Sequence, residues 1–143
     1  MNKKPILLLL LGFVLFLAFL TILSNRTPAP QEQTQVPKAN YKNITSTQLK
    51  EMLESKDFFF VNVHIPYEGE IEKTDAFIPY DEIEKNLNKL PKNKKTKIVL
   101  YCRSGRMSEI AAQRLTKLGY TNVYNHLFGM HDWQSKGYPL LGK

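Results

Sequence analysis

The fold of this chain is indicated by residues 97–112, which read KIVLYCRSGRMSEIAA. Residues 98–101 are a short, continuous apolar run, which is typical of a strand buried on both faces of a parallel sheet. Residues 108–118 then place apolar side chains at helical spacing, and Gly119 stands where such a helix would end. A strand, a short loop and a helix in this order predict an α/β domain.

Cys102 is the only cysteine of the 143 residues, and it lies where the predicted strand meets the loop. In parallel α/β sheets, ligands bind beside the carboxyl ends of the strands. Backbone N–H groups of the loop, the start of the helix and the charges of Arg103 and Arg106 would all stabilise a thiolate, the reactive form of cysteine. Gly105 allows the loop to adopt backbone angles that other residues resist. The segment therefore predicts a nucleophilic thiol in a site that attracts anions.

Helical and strand patterns alternate along the rest of residues 41–143. The predicted elements are a helix capped by Thr45 and Gln48, a strand at 58–63, a brief strand or turn at 76–79, a helix from Asp81 to Leu90, a strand at 122–124 and a final helix at 130–136. The acidic residues 68–75 are predicted to form a solvated surface loop. This order predicts a three-layer α/β fold, in which helices flank a mainly parallel central sheet.

The N-terminus differs in character from this domain. Residues 6–23 form an apolar stretch of 18 residues that follows Lys3 and Lys4. That length reaches the ~18 residues of a membrane-spanning helix, whereas the apolar core of a signal peptide is usually about 7–15 residues. We therefore predict that residues 1–24 are a transmembrane anchor, with a cleaved signal peptide as the alternative.

A Pro-rich flexible linker is predicted for residues 25–40, because this stretch contains three prolines and almost no large apolar side chains. The folded domain then occupies residues 41–143. Basic residues ahead of the span favour a cytoplasmic N-terminus, which places the domain outside the cytoplasm, on the periplasmic or extracellular face. If the segment were cleaved, the domain would be secreted.

The net charge of +7 does not indicate a nucleic-acid partner. Residues 1–38 hold four basic residues and one acidic residue, so three of the seven net charges lie outside the domain. The lysines at 92–97 have no accompanying recognition motif and are predicted to form a solvated turn. With one cysteine the chain can form no internal disulfide. The three isolated histidines predict no metal site, and no cofactor is expected.

The sequence Cys-Arg-Ser-Gly-x-x-Ser, set between a strand and a helix, resembles the active-site loop of the rhodanese family of sulfurtransferases. Three further segments resemble that family in the same order. They are FVNVH at 60–64, LGYTNVYN at 118–125 followed by Gly129, Met130 and Trp133, and GYPL at 137–140. The resemblance covers most of residues 41–143, and it implies a single rhodanese-like domain.

The resemblance implies that sulfur is transferred by double displacement. Cys102 would take the outer sulfur from a small donor such as thiosulfate, forming a persulfide, and a thiol or cyanide would then accept it. The implied substrate-binding loop comprises Arg103, Ser104, Gly105, Arg106, Met107 and Ser108. Asn62 and His64 occupy positions that would support this site.

Four positions depart from the family pattern. Asn62 and His64 replace the usual Asp and Arg, Phe128 stands where the first of two glycines is expected, and Met107 replaces a residue that is often Arg. Catalysis needs a well-supported site, so a rhodanese-like module that binds anions or partners without turnover is the first alternative.

A phosphatase or arsenate reductase on the same fold is a weaker alternative. Phosphatases of that kind clasp the phosphate with an arginine six positions after the cysteine. Ser108 occupies that position here, so the bidentate clamp is missing.

Overall fold

The apolar runs of the sequence form the strands of one five-stranded sheet. We describe this sheet in a computed structural model, for residues 40–142. In chain order the elements are β1 (Lys42–Ile44), α1 (Ser46–Glu54), β2 (Phe59–Asn62), β3 (Ala76–Phe77), a 3-10 helix (Ile83–Lys89), β4 (Ile98–Tyr101), α2 (Arg106–Lys117), β5 (Val123–His126) and α3 (Gly129–Ser135).

All neighbouring strands of the sheet run parallel, in the order β1-β5-β4-β2-β3. β4 lies at the centre and pairs Val99 with Phe60 on one side and with Tyr124 on the other. This arrangement confirms the predicted α/β fold with a parallel central sheet and flanking helices.

Side chains of the central strand alternate between two hydrophobic cores. Ile98 and Leu100 join a core that includes the α2 residues Ala111 and Leu115. Val99 and Tyr101 enter the other core, which contains residues of α1 and the buried Trp133 of α3. Because successive side chains of a strand point to opposite faces, an apolar residue at every position of β4 buries the sheet on both sides.

The predicted capping box at the start of α1 is present. The Gln48 N–H donates to Thr45 Oγ1 at 3.3 Å, and the Thr45 N–H donates to Gln48 Oε1 at 2.9 Å. Two orphan backbone donors of the helix start are thereby satisfied by side chains.

Several predicted boundaries were wrong. β1 was not predicted at all, because its first two residues are exposed and give no apolar pattern. α2 begins at Arg106 rather than at residue 108, and Gly105 is its N-cap. The predicted helix after Asp81 is a 3-10 helix interrupted at Asn86. There the Asn86 amide donates to Glu82 O, so a side chain competes with the backbone.

The acidic stretch at 68–75 is not a simple solvated loop. Ile71 is fully buried, and its N–H donates to Tyr101 Oη at 3.0 Å. Asp75 accepts a hydrogen bond from the Phe60 N–H at 2.7 Å, and Glu70 forms an antiparallel bridge with Leu141. Hydrogen bonds therefore hold the stretch against β2, β4 and the C-terminal segment.

The predicted N-terminal anchor and most of the linker fall in residues 1–39, outside the described residues. Between residues 40 and 142, no helix has both the length and the apolar character that crossing a membrane requires.

Candidate active site

Cys102 lies directly after the central strand β4, at the carboxyl edge of the sheet. The loop from Cys102 to Gly105 joins β4 to α2 and is only four residues long. The side chain of Cys102 is buried and its thiol is free. The topology thus positions the thiol where ligands bind in parallel α/β sheets.

Two donors lie close to the sulfur. The Gly105 N–H donates to Cys102 Sγ at 3.1 Å, and Ser108 Oγ lies 3.5 Å from the same sulfur. The Ser108 hydroxyl also lies 3.0 Å from Gly105 O, so its single hydrogen is shared between two acceptors. The Gly105 N–H, at the start of α2, is therefore the stronger contact for a negatively charged sulfur.

Gly105 is required at its position for two reasons. Its φ of 91° lies in the left-handed region, which side chains resist. A Cβ there would lie 2.9 Å from Phe128 N, closer than real Cβ contacts come. Gly105 thus allows the turn that presents an N–H to the sulfur. It also allows the segment before α3 to approach the loop closely.

The start of α3 holds the loop from the other side. The Met130 N–H donates to Cys102 O, and the His131 N–H donates to Arg103 O, both at 2.9 Å. Gly129 makes this approach possible, because a Cβ there would lie 2.1 Å from Cys102 O. Phe128 replaces the first expected glycine with a φ of 63°, and its side chain is 59% exposed. The substitution strains the backbone but leaves these hydrogen bonds in place.

A pocket of about 260 Å³ opens beside the thiol. Six of the nine residues singled out from the sequence line it: His64, Cys102, Arg103, Ser104, Arg106 and Met107. Gly105 and Ser108 contact the sulfur without lining the pocket. Tyr80 and Ile110 complete the lining, and sequence reasoning missed both, because half-buried apolar residues give no chemical signal.

Asn62 lies outside the pocket and acts on the backbone. Its side chain is fully buried; Nδ2 donates to Gly69 O and Oδ1 accepts from the His64 N–H, each at 3.0 Å. Asn62 therefore fixes the turn that carries His64 to the pocket, although the resemblance predicts Asp at this position.

Glu68 connects His64 to the loop that follows Cys102, and sequence reasoning missed this contact. Arg103 Nη1 lies 3.0 Å from Glu68 Oε1, and His64 Nε2 lies 3.4 Å from Glu68 Oε2. Burial opposes charge on Glu68, but Arg103 and His64 outweigh it and hold the pKa of the carboxyl below its ordinary value. The sequence offered one indication of this contact, which is the spacing of four residues between His64 and Glu68.

His64 itself is 4% exposed. Burial lowers the pKa of its imidazole, Glu68 raises it, and Arg103 and His131 add to the lowering. The net effect is a pKa below the ordinary value, so His64 is neutral near pH 7.

The pocket retains one positive charge that no carboxylate neutralises. Arg103 is paired with Glu68, whereas Arg106 forms no ion pair within residues 40–142. The free guanidinium makes this pocket suitable for a singly or doubly charged anion. In the described part of the chain, no group of three or more His, Cys, Asp or Glu side chains is arranged so that it could hold a metal ion.

Comparison with known proteins gives consistent matches. The family model of the rhodanese-like domain matches residues 45–136. A protein of Allochromatium vinosum named "Sulfurtransferase" is 32% identical over 68% of this chain and 92% of its own length. The protein named "Putative sulfur carrier protein YrkF" in Bacillus subtilis is 44% identical over 41% of this chain and 31% of its own length.

Solved structures match as well. A rhodanese-like domain protein from Staphylococcus aureus is 33% identical, with a TM-score of 0.59 over 69% of this chain and 97% of that one. The chain spans about a third of the length of three of the curated relatives that it matches.

Proposed function

Because the chain belongs to the family of rhodanese-like domains, we propose that it is a sulfurtransferase that carries sulfur on Cys102. The observation that carries the proposal is the contact of 3.1 Å from the Gly105 N–H to Cys102 Sγ, made beside a pocket with a free arginine. The name of the relative in Allochromatium vinosum supports the same chemistry.

The first half of the reaction proceeds by nucleophilic displacement at sulfur. The Cys102 thiolate attacks the outer sulfur of thiosulfate; the Sγ–S bond forms as the bond to the sulfite group breaks, and sulfite leaves with the electron pair. The product is a Cys102 persulfide anion. The Gly105 N–H stabilises the thiolate charge on Sγ before the transfer, and Arg106 and the start of α2 favour both the anionic donor and the persulfide anion.

The second half of the reaction needs a separate acceptor molecule. The chain contains no second cysteine that could attack the persulfide. A thiol or cyanide that enters the pocket takes the outer sulfur and regenerates the Cys102 thiolate.

The proposal is tested by measuring the mass of the intact protein. We expect that the full chain, purified in mild detergent and incubated with thiosulfate, gains one sulfur atom. Cys102→Ser should gain none. A wild-type protein that gains no sulfur while remaining folded would contradict the proposal and favour the module that binds without turnover.

A phosphatase assay distinguishes the proposed sulfurtransferase from the remaining alternative, a phosphatase on the same fold. Position 108 holds a buried serine in contact with Cys102 Sγ, where a phosphatase needs an arginine. We expect no hydrolysis of an aryl phosphate. Turnover that disappears in Cys102→Ser would contradict the sulfurtransferase proposal.

We also propose that the domain lies outside the cytoplasm and is tethered by residues 1–24. The proposal rests on the apolar stretch at 6–23 and the lysines before it. Protease added to the outer face of the membrane should remove the domain, and protease restricted to the cytoplasm should leave it intact. The reverse pattern would contradict the tether as we propose it.

A further inference from the structure

Building on the sulfurtransferase function proposed above, we propose that Cys102 takes its sulfur from a singly charged organic donor in preference to thiosulfate, which carries two charges and no organic group. Glu68 sets the charge that the site accepts, and an apolar wall formed by Tyr80, Met107 and Ile110 receives the organic group. The donor class is an anion with one charge, a terminal sulfur that can be transferred and an organic group at its other end.

Glu68 compensates one of the two positive charges near the thiol. Its carboxylate oxygens lie 3.0 and 3.3 Å from Arg103 Nη1, which donates to both. Arg103 lines the pocket of Cys102 and also a neighbouring pocket of about 240 Å³, whereas Glu68 lines the second pocket but not the first. The charge of Arg103 is therefore compensated by a carboxylate that leaves the pocket of Cys102 open to a donor.

One positive charge remains in the pocket, on Arg106, which forms no ion pair within residues 40–142. Once Cys102 is a thiolate, its negative charge balances that of Arg106, and the neutral His64 adds none. A dianion loses more hydration than a monoanion when it enters such a site, and no net positive charge offsets the loss. The charges on the page therefore favour a donor with a single charge.

Three half-buried side chains, Tyr80, Met107 and Ile110, give the pocket an apolar wall. Met107 and Ile110 are three residues apart on α2, so they lie on the same face of the helix. The backbone of Tyr80 is held on both sides: its N–H donates to Val63 O, and its carbonyl accepts from Arg114 Nη1, both at 3.1 Å. The wall is therefore in place before a donor arrives.

The pocket is also larger than thiosulfate requires. Its volume is about 260 Å³. At the roughly 30 Å³ that one water molecule occupies in the liquid, the five heavy atoms of thiosulfate need about 150 Å³. An inorganic anion leaves the apolar wall in contact with water, whereas an organic group covers it, which is favourable.

The transfer step balances for a donor of this class without a proton. With a thiosulfonate, R–SO₂–S⁻, the Cys102 thiolate attacks the terminal sulfur and a new S–S bond forms at Sγ. The bond between the terminal sulfur and the sulfonyl sulfur breaks, and the sulfinate R–SO₂⁻ leaves with the electron pair. Two negative charges enter the step, and two leave it on the persulfide and the sulfinate.

The experiment measures how fast three donors load Cys102. The full chain in detergent is mixed at pH 7 with thiosulfate, the methanethiosulfonate anion or the benzenethiosulfonate anion, and the rate constant of loading is taken from the mass of the intact protein over time. Each constant is divided by that of the same donor with a free alkanethiol, which corrects for the reactivity of the donor. In the wild type, thiosulfate should have the smallest corrected constant, and the benzene compound should exceed the methane compound by about 10-fold.

Glu68→Gln tests the effect of charge, because it leaves Arg103 uncompensated. It does not charge His64, since burial lowers the pKa of that ring and Glu68 raises it. Loading should become about 10-fold faster with thiosulfate and about 3-fold faster with either thiosulfonate, because the Coulomb energy doubles with the charge of the donor. Both gains should shrink toward 1 M salt, where the screening length is about 3 Å.

Glu72→Gln is the matched control for charge. Glu72 belongs to the same acidic stretch, but it pairs with Lys50 at 3.0 Å and lies outside the pocket of Cys102. This variant should keep the wild-type rates. Glu68→Asp retains the carboxylate and should keep the wild-type order of the three donors.

Ile110→Ala tests the apolar wall. The smaller side chain should slow loading from the benzene compound by about 5-fold, because less apolar surface is covered, and loading from thiosulfate should fall much less. Leu118→Ala is the matched control, since Leu118 is half-buried at the end of the same helix and lies outside the pocket.

The possible results separate this inference from the proposed function. A Glu68→Gln protein whose rates change by the same factor with all three donors would show only a structural role and would overturn the inference. A wild type with its largest corrected constant for thiosulfate would overturn it as well, and in both cases the sulfurtransferase function would stand. A wild type that loads sulfur from none of the donors would overturn the proposed function and the inference together.

Discussion

Single glycines at the site illustrate how much depends on the absence of a Cβ. Gly105 presents its N–H to Cys102 Sγ from a left-handed backbone, and Phe128 N lies where its Cβ would be. Gly129 leaves room for Cys102 O in the same way. The resemblance of the loop indicated that glycine belongs at 105, but only the structure shows that Gly105 also contacts the segment before α3.

Gly105→Ala should both destabilise the protein and impair loading. The left-handed backbone costs an alanine about 1–2 kcal/mol, and the clash with Phe128 N adds to that and displaces the N–H from the sulfur. We expect a lower free energy of unfolding in urea and slower sulfur uptake by mass.

Gly137→Ala is the matched control for this prediction. Gly137 also has a positive φ, 78°, but a Cβ there would have no neighbour within 4 Å. The Gly137→Ala variant should lose only the stability that a left-handed backbone costs an alanine, and it should load sulfur as the wild type does. Equal loading rates for the two variants would mean that the clash does not move the loop.

At the level of elements, side chains join the ends of helices and strands. Thr45 and Gln48 cap α1 through two reciprocal hydrogen bonds. Ser46 Oγ, in the first turn of α1, lies 2.8 Å from Nε2 of His126 in β5, and both side chains are buried. These contacts fix the first helix against the sheet.

Thr45→Ala should lower the free energy of unfolding by about 1 kcal/mol, because the Gln48 N–H loses its side-chain acceptor. Thr47→Ala is the control: Thr47 is exposed two positions later, and its removal should have little effect. Chemical denaturation of both variants measures the difference. Equal losses of stability in the two variants would indicate that the Thr45 hydroxyl contributes no more to folding than the Thr47 hydroxyl does.

The stability of the fold should fall between pH 6.5 and pH 4 because of His126. Burial lowers the pKa of His126 to about 4 in the folded protein, whereas 6.5 is its ordinary value. The unfolded chain therefore binds a proton in this range that the folded protein does not, and up to about 3 kcal/mol present above pH 6.5 is lost as the pH falls to 4.

Urea unfolding of wild type and His126→Asn at pH 7.5 and 4.5 checks this prediction. The variant should be less stable at pH 7.5 but should lose less stability on acidification than wild type. His131→Gln should follow the wild-type dependence. A His126→Asn protein with an unchanged pH dependence would show that another group is responsible.

For the whole molecule, the two hydrophobic cores on the faces of the sheet lie within residues 40–142. β1 closes one edge of the sheet through three paired residues, and Ile44 O accepts a hydrogen bond from the Leu127 N–H at 2.8 Å. The short first strand therefore belongs to the domain, although its sequence does not resemble a strand.

Truncation should reveal the boundary of this domain. A chain without residues 1–38 should unfold in one transition and load sulfur as the full chain does, because both cores are retained. A chain without residues 1–45 loses β1 and the cap of α1 and should be clearly less stable. Similar midpoints of thermal unfolding for the two truncations would contradict a role for β1.

Much of the site could be predicted because most of its residues are neighbours in the sequence. Residues 102–108 form one loop and one helix start, so six neighbouring positions and the thiol could be assigned together from the sequence. Tyr80 and Glu68 come from other parts of the chain, and the position of Tyr80 in the pocket and of Glu68 against Arg103 depends on how the strands align.

The sequence by itself determined the alternation of strands and helices, the position of Cys102 after a buried strand and the resemblance to sulfurtransferases. These features follow from patterns within a few residues, such as apolar runs and helical spacing. Only the tertiary structure decided the pairing of β1 and the chain of contacts from Arg103 through Glu68 to His64. Each of these depends on distances and burial between residues far apart in the chain, which no local pattern encodes.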